Sequence, residues 1–534
     1  MEHLRYFVVV NSPADKEQIC NELKSQDGTD HIPARSVDAE DELSWSEHNS
    51  IFLLTEEEAE TLKNDPRILD VHRDPAELGI RPRIRGYRSG NYERDAAAPL
   101  SNSKNWGLIR SINSTNIYGT STVTNQWYTY NLDGTGVDVI IMDTGVEPYH
   151  PEFAVNADGS GGTRVVNYDW TQHGIITSVP TGGFLGDCDG HGSNVASIVA
   201  GNTCGWASGA KIYSLRIVPG TGGIEHDIVD NRVLGLVDEF QAWGTIRAFH
   251  NSKSVDPVTG YKRPTVVNCS YGYFTDYEPV LSSITHRGVT RSTNTTSGLY
   301  GTIGVNISAY GGTHGARYSA YDAEVSSTVN AGVMVVGSAG NDTHKIDVST
   351  GTDYNNYWTG ASSFSYYYHR GATPTAADGV ICVGCIGAVT NGSGVEHKRQ
   401  FSSTGPRVDI WAPGDQIMGA YSNNPYTGAA VYDSRSTVST SSGASYYLQK
   451  ISGTSQAAPQ VAGVLALLAQ LRPSITPTKA KSWLVSTAAS WTVDTAYYGG
   501  VTGTYTNFAS LQGSVSKSLY MPYHSSATML ISTP

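Results

Sequence analysis

Ser452-Gly453-Thr454-Ser455-Gln456-Ala457-Ala458-Pro459-Gln460-Val461-Ala462-Gly463 is the stretch whose reading decides the fold. Small residues and two glycines allow a sharp turn and close packing. The run that follows (Val464, Leu465, Ala466, Leu467, Leu468, Leu471) is apolar on nearly every face, as in a buried helix. Its expected length is ~17 residues, or ~25 Å. Pro459 fits such a helix only within the first turn, where no N–H is needed. That reading puts Ser455 at the helix N-terminus, where free N–H groups and the positive dipole end favour a developing oxyanion. Taken alone, the stretch reads more readily as a Ser/Gly loop before a core helix.

Two further stretches change that balance. Val137-Asp138-Val139-Ile140-Ile141-Met142 reads as a buried strand ending in Asp143-Thr144-Gly145. Asp187-Cys188-Asp189-Gly190-His191-Gly192-Ser193-Asn194 opens another small-residue helix. An Asp at a strand end, a His starting a helix and a Ser starting a later helix supply orienting group, base and nucleophile.

With these motifs in the order Asp, His, Ser, the sequence resembles the subtilisin-like serine proteases. The likeness rests on Asp143-Thr144-Gly145, His191-Gly192-Ser193 and Gly453-Thr454-Ser455-Gln456-Ala457-Ala458-Pro459. It implies an α/β fold, a parallel sheet with helices on both faces. The apolar runs at 137–142, 211–218, 265–269, 333–336 and 380–383 suit that sheet. The resemblance implies catalytic roles for Asp143, His191 and Ser455, with Asn341 of Gly337-Ser338-Ala339-Gly340-Asn341 as oxyanion donor. Thr144 is expected to orient Asp143 through its hydroxyl. Ser270-Tyr271-Gly272 and Gly337-Ser338-Ala339-Gly340 match the segments that flank the family's specificity pocket, where an extended substrate pairs by strand addition. Tyr271 stands where a smaller aliphatic residue is common, which puts pocket depth in question. The chemistry needs no cofactor. Glu152 falls at a position that often carries a calcium-ligating Asp, so structural calcium stays open without a ligand set. Two departures, Asn194 and Gln460, stand where histidines are usual.

Composition bounds the rest. The chain has 534 residues with 57 Gly and 32 Tyr, and only 16% are charged, which suits a loop-rich globular protein. Of its net charge of −13, −11 falls in residues 1–74, which hold 18 acidic and 7 basic side chains. No basic footprint of a nucleic-acid binder is present. No apolar run is long enough for a membrane span, and the N-terminus Met1-Glu2-His3-Leu4-Arg5 does not read as a secretory signal. The expected location is therefore cytoplasmic at synthesis; composition alone raises virion association as one context. The six cysteines (Cys20, Cys188, Cys204, Cys269, Cys382, Cys385) are read as thiols.

Residues 1–74 read as a separate unit with strands at 6–10, 51–54 and 68–72 and helices capped by Ser12 and by Thr55 with Glu58. The order suggests a small ferredoxin-like sandwich. Ahead of a subtilase-like core it resembles the family's inhibitory propeptide. Residues 75–104, with five arginines and Ala96-Ala97-Ala98-Pro99, read as linker and processing region. Residues 105–500 are the expected catalytic domain and 501–534 a C-terminal extension. Tyr/Ser/Thr-rich stretches at 275–328, 343–375 and 421–447 read as surface insertions. The resulting expectation is a serine endopeptidase made as a self-processing zymogen, acting on protein or peptide substrates and binding its own propeptide. The rivals are a non-cutting relic of the fold and a non-proteolytic serine hydrolase.

Overall fold

Strand Asp138–Asp143 is buried along its whole length. Alternate residues point to opposite faces of a sheet. Val139 and Ile141 pack with Val195, Val461 and Leu465, whereas Ile140 and Met142 pack with Trp243, Ile246 and Val325. Both faces are therefore covered by helices, which is why the sequence shows a continuous apolar run rather than an alternating one. The computed structural model describes residues 3–73, 82–83, 105–115, 130, 132–156, 159–180, 183–217, 237–257, 259–277, 283–291, 313–360, 365–388, 395–422, 436–439, 445–493 and 511–521.

Among these residues the main sheet has nine strands. Its order is Ala489–Ser490, Lys517–Ser518, Ile410–Pro413, Ile381–Ile386, Met334–Ser338, Thr265–Cys269, Asp138–Asp143, Lys211–Arg216 and Val165–Val166. All neighbours pair in parallel except the first two. The α/β fold is the expected one. Lys517–Ser518 lies in the C-terminal stretch, yet it pairs with Trp411, and Leu519 and Met521 enter the main core.

Helix Thr454–Leu471 runs 18 residues through that core, with all but its last two residues buried. It begins earlier than the proline suggests. Pro459 is its sixth residue, beyond the first turn, so the first-turn placement does not hold. The 275–328 stretch is also more regular than expected. It runs into the largely buried helix Ser319–Asn330, whose mixed small and polar residues hide its periodicity. Strands Val289–Arg291, Ser283–His286, Tyr357–Thr359 and Ser365–Tyr367 form an antiparallel sheet that joins two of the expected insertions.

Residues 3–73 run strand, helix, strand, strand, helix, strand, in an antiparallel sheet ordered Ala39–Asp41, Asn49–Leu54, Leu4–Val10, Ile68–Arg73. Thr55 and Glu58 make a reciprocal capping box. Strand Leu4–Val10 is two-sided. Tyr6, Val8 and Val10 pack on the unit's own helices, while Phe7 and Val9 pack on Phe240, Tyr273, Ala320 and Tyr321 of the larger domain. Phe7 meets Phe240 edge-on with ring centroids 4.8 Å apart. Polar contacts reinforce this seam. Asn49 Nδ2 donates to the Ala320 carbonyl at 3.2 Å, Arg247 Nη2 to the Trp45 carbonyl at 2.7 Å, and the Ala320 N–H to His72 Nε2 at 3.1 Å. Further on, Pro82–Arg83 adds an antiparallel strand to Gly272–Asp276, with Gly272 opposite Arg83 and Tyr273 opposite Pro82. The rest of the 75–104 linker lies outside the described residues.

Candidate active site

Three chain segments converge at the carboxyl end of the central strands. Asp143 ends its strand. His191 begins helix His191–Ala200, and Ser455 is the second residue of helix Thr454–Leu471. Asp143, His191, Ser455 and Asn341 are each 3% exposed or less. The His191 Nδ1 lies 2.8 Å from Asp143 Oδ1 and 3.1 Å from Oδ2. Its Nε2 is buried with no hydrogen-bond partner. Burial alone would lower the imidazole pKa; the charge and hydrogen bond of Asp143, with Asp189 and Asp187 behind, outweigh it and raise His191 above the ordinary value.

The loop before His191 is built tightly. Gly190 has φ of 106°, and a Cβ there would come 2.4 Å from the Tyr421 ring, so only glycine fits. Asp187, not anticipated from the sequence, organises this loop. Its Oδ1 accepts the Thr144 hydroxyl and the N–H groups of Asp189 and Gly190. Its Oδ2 accepts the N–H and hydroxyl of Ser193. The role expected for Thr144 is therefore different in detail. The Thr144 N–H, not its hydroxyl, donates to Asp143 Oδ1, at 2.7 Å. The hydroxyl instead ties Asp187 to the Gly192 N–H, at 2.9 and 2.8 Å.

Asn341 follows strand Met334–Ser338. Its Oδ1 accepts the Thr454 N–H at 2.9 Å and the Thr454 hydroxyl at 2.8 Å, which turns its amide nitrogen toward the start of the serine helix. A Cβ built on Gly453 would sit 3.5 Å from Asn341 Nδ2. As the second helical residue, Ser455 also presents an N–H with no intrahelical acceptor. Two donors are thus gathered at one helix end. Gly337 to Gly340 and Ser270 to Gly272 lie at the ends of adjacent parallel strands, with Gly337 in register with Cys269.

Tyr271 does not fill the space between them. Its ring enters the core on the far face of the sheet, where its hydroxyl donates to Glu239 Oε1 at 2.7 Å. Burial pushes the Glu239 carboxyl up to about 7 despite the hydroxyls and indole that face it. Asn194 and Gln460 turn out to belong to separate amide networks. Asn194 accepts Gln456 Nε2 at 3.2 Å, whereas Gln460 forms a reciprocal pair with Asn105 at 3.0 Å each way and accepts the Trp206 indole at 2.8 Å.

Glu152 does not fit a calcium ligand. One carboxylate oxygen accepts the N–H groups of Thr203 and Cys204, and the other accepts the Thr203 hydroxyl. Beside it, the Arg164 guanidinium donates to the carbonyls of Glu152, Ala154, Ala200 and Ala210 and to Asn202 Oδ1. A side-chain cation already serves those oxygens. Among the described residues no group of three or more His, Cys, Asp or Glu is placed to hold a metal. None of the six cysteines is in a disulfide. No described helix is long and apolar enough to cross a membrane.

A parallel sheet covered on both faces, with Asp, His and Ser brought to its carboxyl edge, is the framework of a serine peptidase. A family model for the subtilases matches residues 134–514, and the chain belongs to the subtilase family. Its relatives include alkaline serine exoprotease A of Vibrio alginolyticus, 26% identical over 97% of this chain and 67% of that protein. An extracellular serine proteinase of Thermus sp. is 26% identical over 67% of this chain and 56% of that protein. A subtilisin-like serine protease of Cochliobolus lunatus is 25% identical over 72% and 55%. The chain thus spans between about half and two thirds of these relatives' lengths. Among solved structures, a cold-adapted subtilisin-like serine proteinase matches with a TM-score of 0.45 and 22% identity, over 78% of this chain and 97% of that one. Subtilases need no cofactor for catalysis. The cytoplasmic expectation is overturned by these relatives, one of which is named as extracellular.

Proposed function

We propose that this chain is a serine endopeptidase that hydrolyses peptide bonds through Asp143, His191 and Ser455. The carrying observation is the buried His191–Asp143 pair at 2.8 Å, whose other ring nitrogen has no partner, on a helix that packs against the one bearing Ser455. In this reading Ser455 Oγ attacks the scissile carbonyl while His191 Nε2 takes its proton. Asp143 holds the tautomer and stabilises the imidazolium. The Ser455 N–H and Asn341 Nδ2 receive the oxyanion. His191 then protonates the leaving amine, and water, deprotonated by the same imidazole, releases the acyl group. Segments 270–272 and 337–340 hold the substrate backbone.

The chain is further read as a self-processing zymogen. Residues 1–74 are the inhibitory unit, 75–104 the joint that is cut and 105–500 the catalytic domain; residues 517–521 of the C-terminal 501–534 segment also join that domain's main sheet and core. Two features support this. The 3–73 unit seats an apolar face on the larger domain, and Pro82–Arg83 pairs with the same strand that would receive substrate. The tethered segment is then the first to meet the site, at high effective concentration. The test is to express wild type beside Ser455→Ala. Wild type should react with a fluorophosphonate at Ser455 and yield a fragment beginning between residues 75 and 105. Ser455→Ala should do neither. An unlabelled, full-length wild type would refute the proposal.

A further inference from the structure

Pro459 stands inside helix Thr454–Leu471, five residues past its first residue. It has no N–H to give the Ser455 carbonyl four residues back, and its ring pushes that carbonyl off the helix axis. The displaced oxygen belongs to the proposed nucleophile and is buried. It does not go unpaired. Ser270 Oγ donates to it at 2.8 Å. Ser270 Oγ in turn accepts Asn268 Nδ2 at 2.9 Å, and Asn268 is fully buried in strand Thr265–Cys269. On the other side, Ser455 Oγ donates to the Ser270 carbonyl at 3.1 Å. One residue therefore grips Ser455 by main chain and side chain together.

We propose that the Ser270 hydroxyl is a positioning residue for Ser455, supplying from the sheet the hydrogen bond that Pro459 removes from the helix. The proposal rests on Ser455 being the nucleophile. Its physical content is that two features at distant places in the chain compensate each other. A proline frees the first-turn carbonyl, and a hydroxyl at the end of a central strand captures it. The capture ties the helix start to the strand that carries the substrate segment. Reaction geometry tolerates errors of well under an ångström, so loosening this tie should slow the chemical step more than binding.

The test is a double-mutant cycle in the full chain, read as kcat and KM on a peptide substrate and as the rate of fluorophosphonate labelling. Ser270→Ala should lower kcat and the labelling rate roughly 10- to 100-fold, with KM changed less than about 3-fold. Adding Pro459→Ala restores a helical N–H to the Ser455 carbonyl, so Ser270→Ala/Pro459→Ala should recover most of the loss measured against Pro459→Ala alone. Ser270→Thr, which keeps the hydroxyl, should lose clearly less kcat and labelling rate than Ser270→Ala. A Ser270→Ala rate equal to wild type, or a double mutant with no recovery, would overturn the proposal. Should Ser270→Ala not fold, Ser270→Cys against Ser270→Thr decides: a thiol as fast as the hydroxyl also overturns it. A wild type that fails to label at Ser455 refutes the nucleophile assignment itself, which is a separate outcome.

Discussion

Asn341 does two jobs, and two substitutions separate them. Its Oδ1 holds the Thr454 N–H and hydroxyl, fixing the turn before Ser455. Its Nδ2 is the proposed oxyanion donor. Asn341→Ala removes both functions. The buried Thr454 N–H then loses its partner, which costs about 1–3 kcal/mol of stability, and the lost donor costs about 10²–10³ in kcat. Asn341→Asp keeps an acceptor at Oδ1 and loses only the donor. Its stability should stay closer to wild type, while kcat falls at least as far, because a carboxylate would face the oxyanion. The assay pairs urea unfolding with steady-state kinetics on one peptide substrate. Both variants should show KM changed far less than kcat. An Asn341→Asp enzyme with near-wild-type kcat would refute the oxyanion role, whatever its stability.

Three further outcomes are expected. His191 must be neutral to accept a proton, and its pKa is raised, so kcat/KM should climb with pH through a midpoint above 6.5; a midpoint below 6.5 would contradict the Asp143 pairing. Arg164→Ala strips donors from four carbonyls and one amide oxygen and should lower stability by on the order of 3 kcal/mol in urea unfolding; an unchanged midpoint would show that water serves those oxygens equally well. Burial lowers His314, His344 and His369 to about 4, 3 and 4, so the unfolded chain binds protons that the folded one refuses. Their contribution is present above the unfolded value near 6.5 and is lost as pH falls through the folded values. Hydrogen-exchange protection factors around residues 313–316, 344–347 and 368–370 should therefore fall between pH 6.5 and 4, and unchanged protection there would refute it.

The sheet was legible because its strands are buried on both faces, so each run such as Val139 to Met142 is apolar without interruption. The catalytic candidates were legible because three separated motifs each put a chemically necessary side chain at an element end. Other features needed the third dimension. Tyr271 follows a strand through a change of direction, and only the topology decides that its ring faces Glu239 rather than the substrate side. Asp187 works through five hydrogen bonds that no residue pattern announces. The start of the serine helix differs from the expectation because a proline rule based on local hydrogen bonding ignores the donor at Ser270, 185 residues from the Ser455 carbonyl it serves. The departures at Asn194 and Gln460 looked paired in the sequence but belong to two amide networks.

One short segment links these observations. Asn268 and Ser270 hold the serine helix by its first turn. Two residues on, Gly272 and Tyr273 pair with Arg83 and Pro82, and the Tyr273 ring lies in the apolar cluster that receives Phe7 and Val9 of the N-terminal unit. Between them, Tyr271 is anchored to the buried Glu239 at the start of helix Glu239–Ser252. A chain pairing with this segment therefore adds order to a strand whose preceding residues set the position of Ser455. Backbone pairing is indifferent to side-chain identity, so the tethered linker and an external peptide would engage it in the same way. The seam beneath distinguishes them, because only the tethered strand brings Phe7 and Val9 to Phe240 and Tyr321. On this argument, weakening the seam with Phe7→Ala should speed release of the N-terminal fragment after cleavage while leaving the rate of the cut itself nearly unchanged. Time-resolved gel filtration of the processing reaction separates the two steps. A cut slowed in proportion to release would mean that the seam, rather than the strand, aligns the linker with Ser455.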